Sequence, residues 1–179
     1  KKKIKLMIIK NKKKGILFWI TGLSGSGKSV ISKKINPFIK KNFGPTIILS
    51  GDDLRSIFQL NKYDHKSRIK YLKFYHKFCK KITDQKINIL FSVVGLSNEI
   101  RNLNKKKIDN YVEIYIQSEL KKIKKKKMKK LYLKNLKNIW GIDIKPEFPT
   151  NPTITLRNDF KKNTLQMANL LIQKIKKVQ

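Results

Sequence analysis

The sequence predicts a three-layer α/β/α fold on a mainly parallel sheet with a lid segment, and three observations carry that expectation. Short apolar runs alternate with segments of helical periodicity, a glycine-rich turn links the first run to the first helical segment, and a proline-containing stretch interrupts the alternation near the C-terminus. Strands alternating with helices form βαβ units, whose connections place neighbouring strands in parallel. Ile16–Thr21 is an apolar run ending at glycine, which reads as a first strand, and Ser29–Lys41 carries Val30, Ile31, Ile35, Phe38 and Ile39 at helical spacing. Thr46–Ser50 and Ile87–Val94 are β-branched runs bounded by turn residues and read as strands. Between them, Lys66–Thr83 sets Tyr71, Leu72, Phe74, Tyr75, Phe78, Cys79 and Ile82 on one helical face. Tyr111–Gln117 reads as a fourth strand, Ser118–Lys130 as a basic helix, Ile154–Leu156 as a short last strand and Asn163–Val178 as a closing helix. The exception is Leu131–Pro152, which mixes Trp140, Gly141, Pro146, Pro149 and Pro152, and irregular segments of that length in compact domains often serve as active-site lids. The expected organisation is a basic tail over 1–14 and one domain over 15–179, with the lid at about 131–152.

Composition narrows the function classes. A chain of 179 residues with 40% hydrophobic and 31% charged residues suits one packed core and excludes wholesale disorder. No apolar run approaches the roughly 20 residues that span a bilayer, and the lysine-rich start lacks the apolar core of a secretory signal, so a cytoplasmic location without membrane contact is expected. The lone Cys79 excludes an intrachain disulfide and a multi-cysteine zinc site. The formal charge is +33, yet 40 of the 44 cations are lysine, alongside 26 isoleucines and 15 asparagines, a mixture that AT-rich codons produce. A sequence-specific nucleic-acid reader uses arginine for bidentate base contacts, and the Lys1–Lys3, Lys12–Lys14 and Lys124–Lys127 runs read as solvated faces. The field is instead suited to attract a small anionic substrate. His65 and His76 stand in no partner pattern and receive no role.

Gly22-Leu23-Ser24-Gly25-Ser26-Gly27-Lys28-Ser29 fits G-x-x-x-x-G-K-[ST], follows a strand and opens a helix, which is the context of a phosphate-binding P-loop. Its glycines allow successive N–H groups to converge on phosphate oxygens, and the helix behind adds its positive end. Lys28 is placed to reach the β- and γ-phosphates, and the Ser29 hydroxyl suits Mg²⁺. No guanine-reading N-K-x-D sequence is present, so ATP is preferred over GTP. The acceptor site belongs at the strand ends on the same sheet edge, where Asp52, Asp53 and Arg55 follow the second strand. Asp52, nearer the strand end, reads as the carboxylate that orients an acceptor hydroxyl or holds the metal. Asp53 reads rather as a cap of the turn at Leu54–Phe58, and Arg55 as an anion grip.

These residues reach a known pattern: the stretch from about Gly15 to Val178 resembles the adenylylsulfate kinases, P-loop kinases that phosphorylate the ribose 3′-hydroxyl of adenosine 5′-phosphosulfate. Phe18 to Ser29 is similar to that family's first strand and loop almost residue for residue. Ser50-Gly51-Asp52-Asp53-Leu54-Arg55 resembles D-G-D-x-x-R, which implies Asp52 as base or metal-side carboxylate and Arg55 as a substrate arginine. Tyr63 to Arg68 resembles G-F-S-x-x-D-R, implying a stacking aromatic at Tyr63 and a second anion-binding arginine at Arg68. Leu96-Ser97 falls where the family has I-S-P, whose backbone approaches the substrate. Lys129, Leu131 and Tyr132 match parts of K-G-L-Y, and Gly141-Ile142-Asp143 with Glu147, Pro149, Asn151 and Pro152 matches G-I-D-x-x-Y-E-x-P-x-N-P. Lys129 is thereby implied as a substrate contact, and the resemblance also implies ATP, Mg²⁺, a small nucleotide acceptor and a homodimer.

The departures from that pattern lie on the acceptor side. Ser50 replaces the first aspartate of D-G-D, Tyr71 a substrate-binding asparagine, Lys73 and Phe74 paired arginines, and Asn98 the proline of I-S-P. The lid is shorter, with Ile139-Trp140 in place of phenylalanine-threonine, and Trp140 with Tyr63 offers stacking surface for a planar base. Retained donor residues with an altered acceptor side leave a kinase for adenosine 5′-phosphosulfate as the first expectation, and a kinase for another nucleoside 5′-linked anion such as cytidine diphosphoramidate as its alternative. A different class, a basic P-loop protein that binds nucleic acid or phosphorylates its 5′ end, is distinguished by strongly salt-dependent oligonucleotide binding.

Overall fold

In the computed structural model, residues 9–126 and 138–178 are described. The chain runs β1 (Ile16–Thr21), α1 (Lys28–Phe43), β2 (Thr46–Ser50), α2 (Gly51–Ile57), α3 (His65–Thr83), β3 (Asn88–Ser92), α4 (Asn98–Lys107), β4 (Asn110–Gln117), α5 (Leu120–Lys125), β5 (Ile154–Arg157) and α6 (Thr164–Val178). The strands form one sheet in the order β2-β3-β1-β4-β5 with every pairing parallel. All five predicted strands are present, with ends shifted by a few residues at most.

The central strand is apolar without alternation because helices cover both sheet faces. Ile16, Phe18 and Ile20 pack with Ile31, Ile35 and Ile39 of α1 and with Met167, Leu171 and Ile175 of α6. Leu17 and Trp19 point the other way and join Leu72, Tyr75 and Cys79 of α3 and Ile100 of α4. A third, smaller cluster sits beyond the carboxyl ends of the strands, where Leu23, Leu96, Ile123, Ile139 and Trp140 meet. Among the described residues no helix is long and apolar enough to cross a membrane.

Two helices appear that hydrophobic periodicity did not predict. α2 covers the segment read as a turn, and Ser50 caps it. α4 turns Ile100, Arg101 and Asn104 inward, so two of its three buried residues are polar and no apolar stripe marks it. Each meets a partner from elsewhere in the fold: Arg101 Nε lies 2.9 Å from a Glu113 carboxylate oxygen of β4, and Asn104 Oδ1 lies 2.7 Å from His76 Nδ1 of α3. The basic helix predicted over 118–130 is seen as α5 over Leu120–Lys125, and 127–137 lie outside the described residues, with Lys129, Leu131 and Tyr132 among them.

Truncating Ile35, fully buried in the α1 face of the core, by Ile35→Ala is expected to cost about 2–5 kcal/mol in urea unfolding. Cys79 is fully buried and desolvation pushes its thiol pKa up. Ellman's reagent is therefore expected to leave the native protein unlabelled and to titrate one thiol once guanidinium unfolds it.

Candidate active site

Ligands of open parallel sheets settle beyond the carboxyl ends of the strands, and here those ends open on a cavity of about 770 Å³. One wall is the loop between β1 and α1. Gly22, Gly25 and Gly27 have φ of 149°, 80° and 94°, values that L side chains rarely adopt. A Cβ on Gly22 would also stand 2.5 Å from the Ile116 carbonyl oxygen, so the loop can pass β4 only as glycine. Lys28 opens α1, and its buried Nζ donates to the carbonyls of Gly22 and Leu23 at 3.0 and 2.7 Å. These bonds suspend the ammonium over the loop. Ser24, Gly25, Gly27, Lys28 and Ser29 line the cavity, whereas Leu23 and Ser26 are buried behind it.

The facing wall is α2. Ser50 Oγ accepts from the Asp53 amide at 3.1 Å, while the Asp53 carboxylate accepts from the Ser50 amide and hydroxyl at 2.7 and 2.8 Å. This reciprocal capping box employs Asp53 as a structural acid, and it gives the serine that replaces an aspartate a clear local task. Asp52, one residue earlier and outside the box, lines the cavity with Lys28 and Ser29. Magnesium is commonly held by one or two protein oxygens and the substrate's own phosphates. Ser29 and Asp52 on opposite walls fit that sparse donor set, and among the described residues no cluster of three acids, histidines or cysteines competes for a metal.

A guanidinium pair completes the far side. Arg55 stacks on Tyr63 and Tyr71 at 4.5 and 5.0 Å and donates Nη1 to the carbonyls of Leu60 and Lys62 at 2.7 and 3.1 Å. Arg68 approaches Tyr63 at 5.4 Å and donates to the carbonyls of Tyr63 and Asn138 at 2.7 and 2.6 Å. Burial, and then the nearby charge of Arg55, pull the Arg68 pKa down. Two like charges held at one cavity wall are stabilised by an anion between them. Tyr75 at the base has its phenol pushed up to about 12 by burial, so at neutral pH it donates, to the Gly51 carbonyl at 3.3 Å.

The fold thus brings most predicted site residues to one cavity and leaves others out. Tyr63 is half exposed with Arg55 stacked on its ring, whereas Trp140 is 5% exposed, packs in the third cluster and still lines the cavity. Leu96 is fully buried in the same cluster, Ser97 is buried at the start of α4, and the cavity is lined instead by their neighbours Val94 and Gly95. Lys129 lies outside the described residues. Sequence reasoning missed the part played by Glu147. Its carboxylate accepts from the Asn98 amide at 2.6 Å and its own amide donates to the Leu96 carbonyl at 3.0 Å, which ties the predicted lid to the β3–α4 turn. A proline at position 98, as in I-S-P, would have no N–H for that bond.

Known proteins match this chain in sequence and in fold. The adenylylsulphate kinase family profile matches residues 14–157. A cytidine diphosphoramidate kinase of Campylobacter jejuni subsp. jejuni is 32% identical over 163 residues, covering 89% of this chain and 95% of that one. An adenylyl-sulfate kinase of Gloeothece citriformis is 28% identical, covering 84% of this chain and 88% of that one. Among solved structures, the APS kinase of Mycobacterium tuberculosis in complex with AMPPNP and APS superposes with a TM-score of 0.80 at 23% identity, covering 91% of this chain and 98% of that one.

The reciprocity of the capping box yields a measurable coupling. Ser50→Ala and Asp53→Ala are each expected to cost about 0.5–2 kcal/mol in urea unfolding. The double variant should cost less than their sum, because either replacement already opens the box.

Proposed function

The chain belongs to the adenylylsulphate kinase family, and from that premise we propose that it transfers the terminal phosphoryl group of ATP to a ribose hydroxyl of a nucleoside 5′-linked anion. The observation that carries this reading is the single cavity joining Lys28 and the glycine loop to Asp52, Arg55 and Arg68. In it, Lys28 and the loop amides hold the donor's phosphates, Asp52 orients the acceptor hydroxyl and takes up its proton, and the two arginines bind the acceptor's anion. Magnesium, when bound, supplies neutralisation of the charge shared by the phosphates, with Ser29 and Asp52 as its protein oxygens. Closure of the predicted lid keeps water from the transferred group.

Two acceptors compete. Adenosine 5′-phosphosulfate follows from the family as a whole. A cytidine-linked acceptor is favoured by the 32% identity to a cytidine diphosphoramidate kinase and by the replacements at Ser50, Tyr71, Phe74 and Asn98. With Trp140 mostly packed away and Arg55 stacked on Tyr63, the exposed part of the Tyr63 ring is the stacking surface left, and its small area suits a pyrimidine with its smaller ring. We therefore place cytidine diphosphoramidate ahead of adenosine 5′-phosphosulfate.

A coupled ADP-release assay offering each acceptor in turn is expected to show faster turnover with the cytidine compound, and the opposite order would reverse the ranking. In the same assay, Lys28→Ala should lower turnover by about 10²-fold or more, and an unchanged rate would sink the mechanism. Asp52→Asn should lose about 10²–10⁴-fold while Asp53→Asn stays within about tenfold of the native rate, because the former removes a proton acceptor and the latter only a cap.

A further inference from the structure

The loop that faces the donor phosphates contains three glycines, so the orientation of its peptide groups depends on the hydrogen bonds that anchor them. One such anchor comes from a distant part of the chain. Asn158 follows β5 and is 6% exposed, and its Nδ2 donates to the Ser26 carbonyl at 3.0 Å across 132 residues of sequence. Asn158 is itself held on three further sides. Its amide donates to the Gln117 carbonyl at 2.8 Å, its carbonyl accepts from Ser118 Oγ at 3.0 Å, and its Oδ1 accepts from the Phe160 amide at 3.0 Å. The last bond determines which end of the side-chain amide is oxygen, and so makes Nδ2 the group that meets Ser26.

A trans peptide is planar, so its N–H points opposite to its C=O. Holding the Ser26 carbonyl against Asn158 therefore turns the Gly27 N–H the other way, toward the cavity that Gly27 lines. Asn158 also occupies the room a side chain at position 27 would need, since a Cβ there would stand 3.2 Å from Nδ2. We infer that Asn158 is a positioning residue for the donor nucleotide: through the Ser26 carbonyl it fixes the Ser26–Gly27 peptide with its N–H aimed at the phosphates. This rests on the reading of the loop as the triphosphate site.

The test is calorimetric titration of the full chain with Mg·AMPPNP, paired with thermal unfolding of each variant. Asn158→Ala is expected to bind the analogue about tenfold more weakly, the scale of one lost hydrogen bond to a charged group. Ser118→Ala loosens the same turn without touching Ser26, and it should retain native affinity even where its melting temperature drops. Should the alanine variant fail to fold, Asn158→Asp keeps the bond from Phe160, lacks the donor and carries the same comparison. Native affinity in a folded Asn158 variant overturns the inference, as does an equal loss of affinity in Ser118→Ala, which would assign the effect to general loosening. If the unsubstituted protein fails to bind Mg·AMPPNP, the function proposed above falls, and this inference with it.

Discussion

Everything at the site hangs from the carboxyl end of β1, and what fixes that end is the burial of the strand on both faces between two helical layers. Glycines bracket it. A Cβ on Gly15 would stand 2.1 Å from the Ile87 carbonyl oxygen, and one on Gly22 would stand 2.5 Å from that of Ile116. The strand enters and leaves the sheet through passages too narrow for a side chain, so the loop beyond it starts from a defined place and direction. Lys28 can then fold back on the Gly22 and Leu23 carbonyls, and α1 presents its first turn to the cavity. An unfixed strand end would leave the same eight-residue motif without a defined place at the cavity.

Charge is used locally even though the chain carries +33 overall. Arg55 and Arg68 are pinned by backbone carbonyls and by the ring of Tyr63, which limits their rotamers before any anion arrives. A pre-ordered guanidinium loses little entropy on binding, so under the proposed function the pair would act as a rigid receptor. Arg101 is spent differently. It pairs with Glu113 between α4 and β4 and donates to Asn98 Oδ1 and to the Gly95 carbonyl, bracing the turn whose residues Val94 and Gly95 line the cavity. Burial pulls the Arg101 pKa down and pushes that of Glu113 up, with each partner's charge opposing the shift, as expected for an ion pair removed from water.

The predicted lid joins these parts. Glu147 fastens it to the β3–α4 turn, and Asn138 accepts a hydrogen bond from Arg68 at its other described end. Arg68 and the predicted lid are thus in contact at Asn138, and under the proposed function an acceptor that drew Arg68 toward its anion would also pull on that contact. The two asparagines noted at positions 98 and 158 serve comparable ends, one through its backbone N–H and the other through its side-chain amide.

The order of strands and helices was legible in the sequence because periodicity and turn residues are local properties. The β1 run, the glycine loop and the amphipathic face of α3 all lie where the pattern predicts. α4 was not legible, since its inward residues Arg101 and Asn104 are polar and become core material only when Glu113 and His76 arrive from other elements. The sequence by itself determined the glycine loop between β1 and α1, in which spacing, glycine and lysine all sit within one short stretch. Only the tertiary structure decided that Asp53 closes a cap while Asp52 borders the cavity, that Trp140 packs inward while Tyr63 stays open, and that a carbonyl at position 26 meets an amide at 158. Contacts between distant segments leave no periodic trace, because their partners are chosen by the packing of the sheet and not by neighbours along the chain.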